Sequence, residues 1–225
     1  MTPVNPHPGA LIVIEGIDGA GTTTQTEMLA QWLQRVGIPS LATREPSDGP
    51  IGVVARQHLG RKVDLASPEA EALAFAADRM DHVASEVAPA LSKGITVVAD
   101  RYYLSSLAYQ ALSCDLEWVR EINRFALRPD LTVFLAVAVD VGRERFSGRA
   151  ALERFEDDRD ELVRVTERYE AAMTALRADG EAITIIDGAR SPAEVHAEVV
   201  RLAAAILALR YPGVTMDVAA EAPPA

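Results

Sequence analysis

The run Leu11-Ile12-Val13-Ile14-Glu15-Gly16-Ile17-Asp18-Gly19-Ala20-Gly21-Thr22-Thr23-Thr24-Gln25 decides the fold. An apolar stretch gives way to a glycine-rich turn, and a helical pattern follows over 22–36. A phosphate-binding loop has Gly, four residues, Gly, Lys, then Ser or Thr. Gly16 and Gly21 hold the glycine positions and Thr23 the hydroxyl position, but Thr22 stands where the lysine belongs. In such a loop the backbone N–H groups, here of Gly16, Ile17, Asp18, Gly19, Ala20, Gly21, Thr22, Thr23 and Thr24, line a concavity for phosphate oxygens. The helix N-terminus adds partial positive charge. The glycines permit the tight path and the close approach. The missing lysine would contact the β- and γ-phosphates, a charge-assisted hydrogen bond of about 1.5–3 kcal/mol. The backbone cradle does not need that side chain, so nucleotide binding survives its loss.

The chain has 225 residues and a formal charge of −11 from 22 basic and 33 acidic residues. That excludes non-specific coating of nucleic acid, which needs an excess of Lys and Arg. Lys62 and Lys93 are the only lysines, so nearly all positive charge is arginine. Cys114 is alone and forms no internal disulfide. His7, His58, His82 and His196 are too scattered for a metal site. No signal peptide is apparent, and residues 11–14 are far too short to span a bilayer, so a cytoplasmic protein is expected with no membrane partner. Residues 1–9 hold three prolines and read as a flexible leader, and residues 211–225 as a disordered tail.

Between these ends, short β-branched runs alternate with longer amphipathic segments. Strands are predicted over 11–15, 40–43, 96–99, 132–137 and 183–186, each apolar as when both sheet faces are covered. Helices are predicted over 22–36, 51–59, 68–92, 104–112, 117–126, 141–145, 159–178 and 192–209. Ser67-Pro68 and Ser191-Pro192 read as helix starts and Gly37 and Gly94 as stops. Strands separated by helices imply right-handed βαβ units and an α/β fold of three layers.

Further residues fall at strand ends. Asp100-Arg101-Tyr102 follows the third strand, on the edge of a parallel sheet that carries ligands. There Asp100 can hold Mg²⁺ together with Thr23. Arg101 can contact a phosphate with its planar fork. Arg44-Glu45-Pro46 ends the second strand in the same way, with the Pro46 isomer left open. Phe75 and Arg79 are four apart in a helix and share a face that offers a ring and a guanidinium. Arg143, Arg145, Arg149 and Arg154 form an arginine-rich segment interrupted by Gly148, either a mobile flap that neutralises transferred phosphoryl charge or a solvated face.

Taken in order, these segments resemble the thymidylate kinase family of the bacterial kind. The resemblance rests on Gly16–Gln25, Arg44-Glu45-Pro46, Phe75–Arg79, Asp100-Arg101-Tyr102 and Pro129–Thr132. Towards the end, Ile186-Asp187-Gly188 and Ser191–His196 match as well. It covers about residues 10–209, and its ordered set of motifs is specific where single motifs are not. It implies a P-loop NTPase-type fold with a five-stranded parallel sheet and a mobile lid at about 147–158, in a nucleoside monophosphate kinase domain at 10–210. It implies transfer of phosphoryl from ATP–Mg²⁺ to dTMP, and a homodimer. By the same resemblance Phe75 stacks on thymine, Arg79 contacts the base, and Asp18 lies near the dTMP sugar and phosphate. Arg44 and Arg101 hold the acceptor phosphate, and Ser106, Tyr109 and Gln110 sit beside the nucleoside. Arg149 and Arg154 belong to the lid, from which members with Gly at position 19 draw a catalytic arginine. The chain departs from the family in Ser47-Asp48-Gly49, where Gly-Gly-Thr is frequent, and in Thr22. A nucleotide-binding relative that lost turnover with its lysine, and a kinase for another nucleoside or nucleoside monophosphate, fit the same residues.

Overall fold

In the computed structural model, which describes residues 2–146 and 159–212, five parallel strands form one sheet. They are β1 (Leu11–Gly16), β2 (Ser40–Arg44), β3 (Thr96–Asp100), β4 (Leu131–Ala136) and β5 (Ile183–Asp187). Their spatial order is β2-β3-β1-β4-β5. Side chains alternate across a strand, so a strand buried on both faces feeds two cores. On β1, Leu11 and Val13 pack into one apolar cluster, whereas Ile12 and Ile14 pack into the other. On one face lie α4 (Ala88–Ser92), α5 (Tyr103–Tyr109), α6 (Leu116–Ile122) and α8 (Arg159–Ala178), with α3 (Pro68–His82) packed against α5 and α6. The other face is covered by α1 (Thr22–Arg35) and α9 (Pro192–Arg210). The remaining helices are α2 (Pro50–Leu59), which packs on α3, and α7 (Val139–Phe146), which packs on α8.

Local chemistry explains the boundaries. Ser67 caps α3 by accepting from the Ala70 N–H, and Ser191 and Glu194 form a reciprocal cap at α9. The long helix expected over 68–92 passes through a π turn at Val83–Val87. Pro89 has no N–H and its ring would meet the carbonyl of Ser85; the wider turn, with the Ala88 N–H bonding to Val83 O, accommodates it. Asp115 caps α6 through the Trp118 N–H, which starts that helix at Leu116, and it ends at Ile122 rather than at residue 126.

Residues 2–9, expected as a loose leader, make specific contacts. The Pro3 carbonyl accepts from the Arg128 N–H at 2.7 Å, and the Asn5 amide donates to Asp130 Oδ2 at 2.8 Å. At the other end Tyr211, the first residue of the expected tail, donates its hydroxyl to the Gly94 carbonyl at 2.8 Å. The lid segment expected at 147–158, with Arg149 and Arg154, and residues 213–225 lie outside the described residues. Among the described residues no helix is long and apolar enough to cross a membrane.

Candidate active site

All five strands run the same way, so Gly16, Arg44, Asp100, Ala136 and Asp187 end on one edge of the sheet. A cleft of about 530 Å³ opens there. Its lining takes in the loop from Asp18 to Thr24, Arg44, Phe75, Arg79, Asp100, Arg101, Ser106, Tyr109 and Gln110. Gly16 and Ile17 lie buried beneath it. Residues from every motif at a strand end therefore meet in one cavity.

The donor side is made mostly of backbone. Gly21 precedes α1 in the left-handed region at φ 96°, where a side chain is strained. Gly16 admits no larger residue, because a Cβ there would come within 2.8 Å of Ala20 Cβ and 3.0 Å of Leu135 O. Gly19, at φ +78°, abuts α7: an added Cβ would lie 2.1 Å from the Gly142 carbonyl oxygen. Thr22 is buried. Arg145, in the arginine-rich segment that reads as either a flap or a solvated face, is fastened to the turn after β5, donating to the Gly188 carbonyl at 2.8 Å and the Ala189 carbonyl at 3.1 Å.

Thr23 donates its hydroxyl to Asp100 Oδ2 at 2.5 Å. The other oxygen of Asp100, Oδ1, is buried and has no hydrogen-bond partner. A hydroxyl beside an orphaned carboxylate oxygen fits a hard cation that completes its shell with water and nucleotide phosphate oxygens. Among the described residues there is no group of three or more His, Cys, Asp or Glu able to hold a metal by themselves.

The acceptor side is made of side chains. Arg101 sits at φ 68°, and its guanidinium pairs with Asp18 Oδ1. It also donates to the hydroxyls of Ser105 and Tyr169, each at 3.3 Å, and lies 5.5 Å from the Tyr109 ring centre. Burial opposes its charge, but Asp18, Tyr109, Tyr169 and Asp100 together outweigh this and hold the Arg101 pKa well above its ordinary value. Tyr109 reaches Asp18 Oδ2 at 3.4 Å. Arg79 is buried, with Nε donating to Glu45 Oε2 at 2.7 Å and Nη1 donating to Ser106 Oγ at 3.1 Å and to Asn123 Oδ1. Phe75, one turn earlier, is half-buried in the wall.

The loop after Glu45 is held by partners that the sequence did not announce. The Glu45–Pro46 bond is cis. Asp78 accepts from the Ser47 N–H at 2.8 Å and from its hydroxyl at 2.5 Å. Arg56 donates to the Pro46 carbonyl at 2.8 Å and pairs with Asp48 at 3.0 Å, and Asp48 also pairs with Arg44 at 3.0 Å. Arg44 remains largely exposed at the cleft.

Beneath the two sides lies Glu15, fully buried at the end of β1. It accepts from the Tyr102 N–H at 2.9 Å, the Ser105 hydroxyl at 2.6 Å and the Tyr169 hydroxyl at 3.3 Å. Burial raises its pKa to about 7 against these donors and the nearby Arg101. An isolated acid within an apolar strand was the one signal of this network in the sequence.

Comparison with known proteins follows the same lines. The family model described as thymidylate kinase matches residues 14–199. A probable thymidylate kinase of Thermococcus gammatolerans is 41% identical over 202 residues, covering 86% of this chain and 95% of that protein. A thymidylate kinase of Leifsonia xyli subsp. xyli is 40% identical over 200 residues, covering 86% and 93%. Another probable thymidylate kinase, from Pyrobaculum aerophilum, is 40% identical over 196 residues, covering 86% and 95%. With its motifs gathered at one sheet edge and a family model spanning most of its length, the chain belongs to the thymidylate kinase family.

Proposed function

We propose that this protein phosphorylates dTMP to dTDP with ATP as donor, in the supply of dTTP. The observation that carries the reading is the single cleft in which a phosphate loop faces Phe75, Arg79 and the Asp18–Arg101 pair. Backbone N–H groups of the loop and the N-terminus of α1 cradle the donor phosphates. Phe75 stacks on the base and Arg79, set by Glu45 and Asn123, contacts its edge. Arg101 and Arg44 hold the acceptor phosphate. Tyr109, beside Asp18, disfavours a ribose 2′-hydroxyl. Thr23 and Asp100 would hold Mg²⁺, which when bound neutralises charge on the transferred phosphoryl group. A phosphate oxygen of dTMP is already an adequate nucleophile, so alignment and charge stabilisation suffice and no residue acts as general base.

The charge missing at Thr22 comes, in this reading, from Arg149 or Arg154, as in the bacterial kind of the family. The position of Gly19 supports it. An arginine there would drive its Cβ into the Gly142 carbonyl, so position 19 has no room for a cation. The reading includes a cytoplasmic homodimer, on the strength of the family resemblance.

The test is a steady-state assay of the pure protein with ATP, Mg²⁺ and dTMP. Formation of dTDP above a no-enzyme control is expected. Nucleotide binding without dTDP would favour the alternative that Thr22 suggests, a relative that binds and does not turn over. Arg149→Ala or Arg154→Ala is expected to lower kcat by about 100-fold or more while the KM for dTMP changes little. Unchanged turnover in both would remove those arginines from the mechanism.

A further inference from the structure

His82 belongs to none of the motifs discussed above, yet it is buried and spans two carboxylates. Its Nδ1 lies 3.2 Å from Glu45 Oε1 and its Nε2 lies 2.9 Å from Glu86 Oε2. Thr43 Oγ1 is 2.8 Å from Nε2 and donates its own proton to Glu86 Oε2 at 3.0 Å. A neutral imidazole has one N–H and one lone pair. With a carboxylate oxygen at each nitrogen, the neutral ring would turn its lone pair on an anion. Only the imidazolium donates to both sides.

Arg79 and His82 sit three apart on α3 and grip the same carboxylate. Arg79 takes Glu45 Oε2 and His82 takes Oε1, so each oxygen of Glu45 has one cationic partner. Glu45 is fixed from its backbone as well, by its N–H bond to the Asp100 carbonyl at 3.0 Å. The charges around the ring come from three directions. Glu45 and Asp48 lie on the loop after β2, Arg79 and Glu86 are the neighbouring turns of the same helix run, and Tyr102 faces Glu45 and Arg79 from beyond β3. With His82 charged, Glu45 and Arg79 are balanced by His82 and Glu86. With it neutral, Glu45 and Arg79 still balance, and the surplus negative charge falls on Glu86, whose side chain is 46% exposed.

We propose that His82 is a positioning residue for the acceptor site: as an imidazolium bridging Glu45 and Glu86, it holds Glu45 where Glu45 orients Arg79 for the nucleoside monophosphate. Burial works against the charged ring, and Glu45 and Glu86 together overcome it and raise its pKa. The sign follows. The bridge is complete below the ordinary histidine range and is lost as pH rises through the raised value. Acceptor affinity therefore weakens on the alkaline side, while the chemistry on bound substrate does not. The role assigned to Arg79 rests on the reading of the protein as a dTMP kinase.

Two variants, compared with the wild type, and one spectroscopic measurement decide it. Kinetics of the wild type, His82→Leu and His82→Asn are followed from about pH 6 to about pH 9.5, reading the KM for dTMP and kcat separately. His82→Leu is expected to raise the KM about 10-fold at neutral pH, with kcat within about twofold. His82→Asn keeps a neutral donor towards Glu45, so it restores part of the affinity and leaves the KM flat with pH. The wild-type KM rises at the alkaline end. A KM within about twofold of wild type in His82→Leu, or a fall in kcat at constant KM, overturns the proposal. Imidazole ¹⁵N signals of the wild-type full chain read the ring directly. The ring is expected to titrate above the ordinary histidine value, and titration at or below that value overturns the bridge even if His82→Leu does not fold. If the wild type makes no dTDP, the kinase reading falls, and the ¹⁵N titration, which needs no turnover, still decides the bridge.

Discussion

The two walls of the cleft are built from different materials. The donor wall is a loop of main chain in which Gly16 and Gly19 leave no room for a side chain against Ala20, Leu135 and Gly142. The acceptor wall is a set of paired side chains, the partly buried Asp18–Arg101 and the buried Glu45–Arg79–His82, each charge answered by another. A main-chain wall tolerates the change of a side chain that it does not use, which is why Thr22 can replace a lysine without dismantling it. A wall of paired buried charges is brittle, since removing one partner leaves the other unpaired in a poor solvent.

The largest effect should come from the brittle wall. Arg101→Ala strands Asp18 and, on the proposed reading, removes the fork that holds the acceptor phosphate, so kcat/KM for dTMP should fall by about 1,000-fold or more, measured by initial rates. A fall of less than about tenfold would mean that the acceptor wall is as tolerant as the donor wall. Thr22→Lys tests the other side. If the donor wall is independent, the added charge should raise kcat about 10-fold and leave the KM for dTMP unchanged. A shifted KM would show that the two walls are coupled.

The smallest catalytic effect is expected at Glu15, which lies under both. Its pKa of about 7 in the folded protein exceeds the ordinary glutamate value. Between those values the folded protein keeps a proton that the unfolded chain has released. Stability therefore falls as pH rises through that window, by roughly 3 kcal/mol in all, and the loss is complete above it. Glu15→Gln should flatten the dependence of Tm between about pH 5 and about pH 8, with kcat changed only a few-fold. An equally steep slope in the variant would place the titration elsewhere.

The sheet, its helices and the positions of the phosphate loop, Arg44 and Asp100–Arg101 were legible because each depends on a short run of residues. A strand, a turn and a helix start are written locally, and parallel topology then gathers the strand ends without further instruction. The networks that lock the site are different. Tyr169 meets Glu15 across 154 residues, and Arg79 meets Asn123 across 44. Such pairs have no spacing rule, and only packing brings them together. His82 was passed over for that reason: three residues after Arg79 it reads as one more scattered histidine, and its two carboxylates come from β2's following loop and from a later helical turn. The π turn was readable in principle from Pro89 within a helical pattern, whereas the end of α6 falls at Asn123, whose side chain accepts from the distant Arg79.

Arg101 lies in the left-handed backbone region, a conformation that costs a non-glycine residue about 1 kcal/mol or more. Along an ordinary strand, Asp100 and Arg101 would face opposite sides of the sheet. The left-handed turn cancels that alternation, and both side chains line the cleft. The residues that carry the carboxylate beside Thr23 and the guanidinium beside Asp18 are thus neighbours, with Cα atoms about 3.8 Å apart by covalent geometry. Helices can shift and loops can breathe, yet that backbone spacing does not change. One strained residue joins the two walls of the cleft at a single peptide unit.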